Sequence, residues 1–405
     1  MIKNSSLVKG LLSILLLTVC CNVYAEGSFR DAVKNGKANG ELKVWYQTND
    51  KSTGGHDIFD KENSIFDAGL NIGYTTSTWY GFGAVINFYA VDDLGANGDI
   101  ANNSAHRVNA SESVAWLGEA YISYKKGNST VKAGRQNINS PLINSDDWAV
   151  FPNSFEALWF QNSDIKDTSI TAAYVTKEKK IKSDTFEDFA GDNGSFMLGA
   201  ENKSIPGLKL SGYYYHINSV SDVDSLYFEA SGKIKAINIA GQYIYFDPDM
   251  PLADETNAFG FLVSSKIGIF DLSGAFTSVG KGTMMAARFS DNGCKTPLFT
   301  QTISGDGDIA GATDTDSIKL TAGITPVEKL TLSLSYGYYD HGSASSASPD
   351  NESKSIELTA KYTGFENITL FAALVNSDHN GVGGWKGATP SDDLNSLRIW
   401  ASYKF

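Results

Sequence analysis

Residues 330 to 338 read Leu-Thr-Leu-Ser-Leu-Ser-Tyr-Gly-Tyr, a strict alternation. Successive side chains of a strand point to opposite faces, so Leu330, Leu332, Leu334, Tyr336 and Tyr338 share one side. Thr331, Ser333, Ser335 and Gly337 share the other. A helix repeats every 3.6 residues and would scatter both sets around its surface. The pattern recurs along the chain. Ala68, Leu70, Ile72 and Tyr74 alternate with Asp67, Gly69, Asn71 and Gly73; Ile356, Leu358, Ala360 and Tyr362 alternate with Glu357, Thr359 and Lys361. Segments of this kind centre near residues 44, 70, 85, 121, 132, 159, 173, 199, 212, 228, 240, 262, 273, 320, 334, 358, 370 and 400. Those near 132, 159, 199 and 262 alternate least cleanly. The expected count is therefore about eighteen strands, with sixteen left open.

Connections alternate as well. Thr75–Thr78, Lys125–Ser129, Gly232–Lys235 and Tyr362–Glu366 are short. Ala90–Val114, Gln136–Phe155, Lys177–Ser195, Ser278–Thr315 and His341–Ser353 are long and rich in Gly, Ser, Asn and Asp. Short turns at one end and long loops at the other describe a transmembrane antiparallel β-barrel.

The first residues fit an export leader. Lys3 and Lys9 precede an apolar run of 11 residues, Leu11–Cys21, and Val23-Tyr24-Ala25 offers small-x-small cleavage. That run is too short for a spanning helix. Residues 1–25 are read as a signal peptide and residues 26–405 as a single barrel domain. A lipidated cysteine wants a small residue before it; Val19 precedes Cys20 and Cys20 precedes Cys21, which argues against a lipoprotein. Beyond the leader only Cys294 remains, so no internal disulfide framework is expected. Losing Lys3 and Lys9 takes the formal charge from −13 to −15. So acidic a chain lacks the cation excess that phosphate neutralisation needs, which excludes a nucleic-acid partner. Acidity suits solvated loops at a lipopolysaccharide surface.

Three features separate a membrane barrel from a soluble sandwich, which also alternates. Aromatic residues gather at segment ends: Trp79-Tyr80, Tyr213 to Tyr215, Tyr243 with Tyr245, and Tyr338-Tyr339, as an interfacial girdle would require. The polar face is small and hydrophilic, as a wet lumen allows. The last strand ends Leu397-Arg-Ile-Trp-Ala-Ser-Tyr-Lys-Phe405. Its outward set includes Tyr403 and Phe405, which resemble the assembly signal read by the outer-membrane barrel assembly machinery. Backbone groups in lipid must all be paired, so the sheet must close, with the last strand beside Leu42–Tyr46.

With that register, Lys132, Lys209, Lys319, Lys361 and Arg398 point into the lumen, as do Glu119, Glu229, Asp271 and Glu357. A ladder of cations would concentrate carboxylate solutes; equally, the two signs could pair and simply fill a wet wall.

The stretch Gly134-Arg-Gln-Asn-Ile-Asn-Ser-Pro-Leu-Ile-Asn-Ser-Asp-Asp-Trp-Ala-Val-Phe-Pro-Asn-Ser-Phe155 resembles the OprD-type porins, in the version found in epsilonproteobacteria. Phe29–Leu42 and Thr168–Tyr174 resemble the same group. The resemblance implies an eighteen-stranded barrel passing small, often carboxylate-bearing solutes, with its third long loop folded inward. By position that loop is Gln136–Phe155, and Asn144, Asp146, Asp147 and Trp148 become candidate constriction residues. The family commonly has an arginine before the second proline of this loop. Here the run is Trp148-Ala149-Val150-Phe151, which leaves anion selectivity open. General porins form trimers and the resembled family includes looser assemblies, so a homotrimer is one of two assemblies allowed.

No cofactor or metal is expected. Asp306-Gly-Asp-Ile-Ala-Gly311 starts like a calcium loop, but Ala310 and Ser317 stand where its fifth and twelfth ligands belong. Asp314 and Asp316 leave a loose divalent site open. The stretch also imitates a dinucleotide fingerprint, with neither a strand before it nor a helix after it. Hydrolase motifs are missing. His56, His106, His341 and His379 fall in expected loops and His216 at a strand end. A passive pore for small hydrophilic solutes or ions is the leading reading. An outer-membrane enzyme on a plugged barrel, or a surface-loop interaction protein, are the alternatives.

Overall fold

The computed structural model of the chain describes residues 27–51, 57–60, 64–96, 113–146, 149–181, 183, 185–218, 222–249, 254–282, 289, 296–303, 309–342, 352–378 and 393–405. The leader, Cys294, His56, His106, His379 and the acidic run 304–308 lie outside the described residues. A short helix, α1 (Phe29–Lys34), comes first. Ser28 and Asp31 cap it reciprocally, and the Ser28 backbone N–H and hydroxyl hold the Asp31 carboxyl below its usual pKa.

The described residues then form nineteen strands. The first seven are β1 (Lys37–Lys51), β2 (Ser64–Thr75), β3 (Phe82–Asp92), β4 (Ser113–Lys126), β5 (Ser129–Gln136), β6 (Ser154–Asn162) and β7 (Thr168–Lys179). A two-residue bridge, β8 (Glu187–Asp188), touches β7 alone. Next come β9 (Ser195–Asn202), β10 (Leu208–Ile217), β11 (Val223–Ile234), β12 (Ile237–Pro248), β13 (Thr256–Ile267) and β14 (Phe270–Val279). The last five are β15 (Thr315–Val327), β16 (Leu330–His341), β17 (Glu352–Tyr362), β18 (Ile368–Asp378) and β19 (Asp393–Lys404).

Apart from β8, each strand pairs antiparallel with its sequence neighbours, and β19 returns to β1. Eighteen strands therefore close one barrel. All eighteen segments read from alternation are strands, including the four weakest, so sixteen is excluded. The seam runs from Glu41 opposite Lys404 to Lys51 opposite Leu394, with Leu42 facing Tyr403 and Tyr46 facing Ile399. Gly40 N–H donates to the Phe405 carbonyl at 2.8 Å and Phe405 N–H to the Gly40 carbonyl at 3.0 Å. The Phe405 ring lies over Gly40, where a Cβ would come within 2.3 Å of it.

One end of the barrel has tight turns. Residues 127–128, 235–236, 268–269 and 328–329 are two-residue connections; Lys235 adopts at the first position the positive φ of 56° that a primed hairpin turn requires, and Lys329 has a φ of 68° at the second position of its turn. The other end has the long connections, among them 137–153 and 280–314. Along most strands burial alternates. Leu42 and Val44, Phe259 and Phe261, and Ile356 and Leu358 are exposed, while their odd-register neighbours are covered. So continuous an apolar exterior belongs in lipid. No described helix is long and apolar enough to cross a membrane.

Two expectations are corrected. Tyr213, Tyr215 and Tyr339 do not stand in an interfacial girdle. Adjacent strand residues face opposite ways, so Tyr214 and Tyr243 are exposed outside while Tyr215 and Tyr339 are buried inside. His341 is not a loop residue. It ends β16, buried, with Nδ1 on the Thr315 hydroxyl at 2.9 Å and Nε2 on the Ser353 hydroxyl at 3.0 Å.

Candidate functional site

The segment 137–153 begins as a tight local fold. Ser140 N–H and hydroxyl both donate to the Ile143 carbonyl (3.1 and 2.6 Å), and Ser145 N–H donates to the Ile138 carbonyl at 2.6 Å. This leaves Ile138, Leu142 and Ile143 projecting, and all three are buried among Tyr215, Tyr227, Ile244 and Phe246. Leu142 N–H donates to the Tyr215 hydroxyl at 3.3 Å. Seven residues further on, Ala149, Val150 and Phe151 are buried on a different wall, with Trp45, Tyr89, Val91 and Trp116. Phe151 stacks on Tyr89 with ring centroids 4.8 Å apart. Val150 and Phe151 lie against Gly69, where any Cβ would sit 2.3 Å from Val150 Cγ1. One short segment thus touches β10–β12 and β1–β4, on the buried face of both.

A second loop meets it. Phe289 N–H donates to the Leu142 carbonyl at 2.8 Å, and its ring packs on Phe246 and Tyr215. Gln242 holds residues 297–299, donating to the Pro297 carbonyl (3.1 Å) and accepting from Phe299 N–H (3.0 Å). The Tyr339 hydroxyl bonds the Thr300 carbonyl at 2.9 Å. Leu298, Ile309 and Ala310 join the apolar cluster around Tyr215. The interior is therefore not the uniformly small, hydrophilic face that alternation suggested. Its middle contains a packed apolar core supplied by two loops.

Between these contacts lie the charges. Lys43, 5% exposed, donates to the Ala149 carbonyl at 2.8 Å and lies over the rings of Trp45 and Trp400, 5.4 and 5.1 Å from their centroids. Arg398, 8% exposed, donates to Gln47 Oε1 at 3.1 Å and lies 5.1 Å from the Trp45 ring. Lys179 lies 4.0 Å from the Trp116 ring. Cations over indole faces retain electrostatic stabilisation without fixed carboxylate geometry. Two carboxylates are buried in the walls around them: Asp67, the Cα partner of Trp45, and Glu178, whose Oε1 accepts from the Asn153 amide at 2.8 Å.

The remaining candidates are spread along the wall. Lys132 lies 5.1 Å from the Tyr121 ring, and Glu119 accepts from Asn87 two strands away from Lys132's own. Lys209 pairs with Glu201 at 2.9 Å, and Glu229 accepts from the Tyr227 hydroxyl at 2.7 Å. Lys319 donates to the Gln301 carbonyl of the second loop. Glu357 is buried, 2% exposed. Asp271 and Lys361 are exposed beside short turns, and Asp271 pairs with Lys266 at 3.2 Å. Asn144 and Asp146 are held by Asn153, whose amide donates to the Asn144 carbonyl (3.1 Å) and accepts from Asp146 N–H (2.8 Å). Asp147 and Trp148 lie outside the described residues. No group of three His, Cys, Asp or Glu suited to a metal occurs among the described residues.

Lys43, Asp67, Lys179 and Glu201 escaped the reading of the sequence. The signal for Lys43 was available: Leu42, Val44 and Tyr46 alternate outward, which turns Lys43 and Trp45 in. Lys179 lies on the same alternation as the buried Ala173 and Val175, while its buried neighbour Glu178 carried no signal, because a register shift between Glu156 and Ala157 resets the parity of the β6–β7 pair.

A closed barrel of eighteen strands, apolar outside and polar within, is large enough to be a channel rather than a self-filled cylinder. The chain belongs to the outer membrane porin, OprD family, whose model matches residues 30–239. It is an outer-membrane channel for small solutes. Solved structures share the fold. OccAB1 of Acinetobacter baumannii is 15% identical with a TM-score of 0.75, covering 93% of this chain and 98% of its own. OpdK of Pseudomonas aeruginosa with vanillate is 13% identical at 0.73, covering 92% and 99%. OccK2 (OpdF) of Pseudomonas aeruginosa in complex with glucuronate is 14% identical at 0.72, covering 92% and 98%. No curated protein sequence matches the chain.

Proposed function

We propose that segment 137–153, braced by 280–314, is the constriction of a passive pore that favours small carboxylate-bearing solutes. The observation that supports this most is the Ala149 carbonyl on Lys43 Nζ, because it seats the loop beside two cations, Lys43 and Arg398, that rest on indole rings. A carboxylate passing there exchanges water for charge-assisted hydrogen bonds. Asn144, Asp146, Asp147 and Trp148 are the constriction residues. Lys132, Lys209, Lys319, Lys361, Glu119, Glu229, Asp271 and Glu357 line the passage at other depths. Vanillate and glucuronate, each a carboxylate, occupy two structures of the same fold, in keeping with that solute class.

The chain acts without catalysis and belongs to the epsilonproteobacterial branch of its family. Residues 1–25 direct export, Tyr403 and Phe405 address the barrel assembly machinery, and the assembly is a homotrimer. Planar-bilayer recording of the refolded barrel tests the central reading. Stepwise conductance with reversal potentials favouring anions, reduced by millimolar carboxylate solutes, is the expected result. Cation preference with no carboxylate block would overturn it.

A further inference from the structure

The lipid-facing wall of β12–β16 has a dent. Val263 faces Gly274, and Gly274 faces Leu320 across the next pair. One row nearer the short turns, Ser265 faces Leu272 and Leu272 faces Ala322. The small residues Ser265, Gly274 and Ala322 form a floor between large exposed neighbours, and the groove encloses about 530 Å³. The barrel's own packing does not require the glycine: a Cβ on Gly274 would meet only Leu320, at an ordinary 3.5 Å.

The groove's position selects a leaflet. Ser265 and Leu272 are three residues from the 268–269 turn, roughly 10 Å along a strand, and short turns mark the periplasmic side. Its depth is that of acyl carbons just below the headgroups. The charge at its mouth selects a headgroup. The adjoining turns and strand ends bring Lys233, Lys235, Lys266 and Lys329, against Asp271 and Glu328. Lys266 is offset by Asp271 at 3.2 Å, while Lys235 and Lys329 are exposed in the turns themselves. The opposite ends of the same strands are acidic, with Asp247, Asp249, Glu255, Asp316 and Asp340. An anionic headgroup is therefore attracted to one end of this wall and repelled from the other.

We propose that this groove holds an acyl chain of an anionic phospholipid of the periplasmic leaflet, its phosphate drawn to the cationic rim to which Lys235 and Lys329 belong. The site lies outside the lumen and does not depend on which solutes the pore passes. Native mass spectrometry of the full folded chain, exchanged with equal amounts of phosphatidylglycerol, phosphatidylethanolamine and phosphatidylcholine, reads it directly. One phosphatidylglycerol should be retained at least fivefold over phosphatidylcholine. Lys235→Gln with Lys329→Gln should bring that ratio near one, and Gly274→Leu should lower retention of all three lipids, both with single-channel conductance unchanged. Ala322→Phe replaces Gly274→Leu if heat-modifiability shows that the latter fails to fold. Equal retention of the three lipids by the native chain would overturn the proposal, as would retention indifferent to both variants. So would displacement of phosphatidylglycerol by lipopolysaccharide, or a loss of oligomer in Gly274→Leu with lipid retention intact, since the groove would then be an outer-leaflet site or a subunit contact.

Discussion

The two inner walls that the 137–153 loop touches obey the same alternation and differ in chemistry. On β1 and β19 the inward positions are Lys43, Trp45, Arg398 and Trp400, cations laid on indole faces. On β9–β11 they are Glu201, Tyr213, Tyr215, Tyr227 and Glu229, where phenols donate to carboxylates and Lys209 is matched by Glu201 at 2.9 Å. The loop meets each wall in kind. It offers a backbone carbonyl to Lys43 and apolar side chains with a backbone N–H to Tyr215. Opposed walls of this sort set up a transverse field, and a dipolar or charged solute must orient in it to pass.

The largest expected effect comes from unseating the loop from the cationic wall. Gly69→Leu puts a branched side chain where Val150 Cγ1 and the Phe151 ring now lie, 2.3 and 2.7 Å from where its Cβ would sit, so both must move. Single-channel conductance should rise by about twofold as residues 149–151 lift away. An unchanged conductance would mean that the loop does not limit the pore. Next in size is the charge of that wall. Lys43→Gln with Arg398→Gln should move the reversal potential toward cation preference by about 15 mV in a tenfold salt gradient. Removing charge from the acidic wall should move it the other way and by less, about 5 mV for Glu201→Gln, because Lys209 sits within 2.9 Å and already screens that carboxylate. If the two shifts share a sign, the walls are not electrostatically opposed. The smallest effect is Tyr215→Phe, which strips one hydrogen bond from Leu142 N–H. It should cost about 1 kcal/mol locally and show as increased open-channel noise with the mean conductance nearly preserved.

The local order of the chain was legible in its residues because strand parity needs no partner. Leu397, Ile399, Ala401 and Tyr403 on one side of β19 and Ser396, Arg398, Trp400 and Ser402 on the other follow from sequence position alone. So does closure onto Leu42–Tyr46, because an unpaired edge cannot survive in lipid. Strand number, turn polarity and the inward placement of Arg398 and Glu357 are of this kind. So is the outward apolar belt, whose solvent is a bilayer and whose pattern answers to nothing else.

The interior answers to distances that sequence does not contain. Val150 meets Gly69 and Leu142 meets Tyr215 across 81 and 73 positions of chain, so neither contact leaves a local period to read. The 280–314 loop gave no hint that its Phe289 and Leu298 complete a core, because an apolar residue in a polar loop looks like any exposed one until a wall is brought to it. Small parity resets, such as the shift at Glu156, also alter which charges face inward. Pairing every backbone group in lipid fixed the barrel from the sequence. Only the closed tertiary structure, by placing opposite walls within reach of the same loop, decided which walls that loop joins and which side chains meet there.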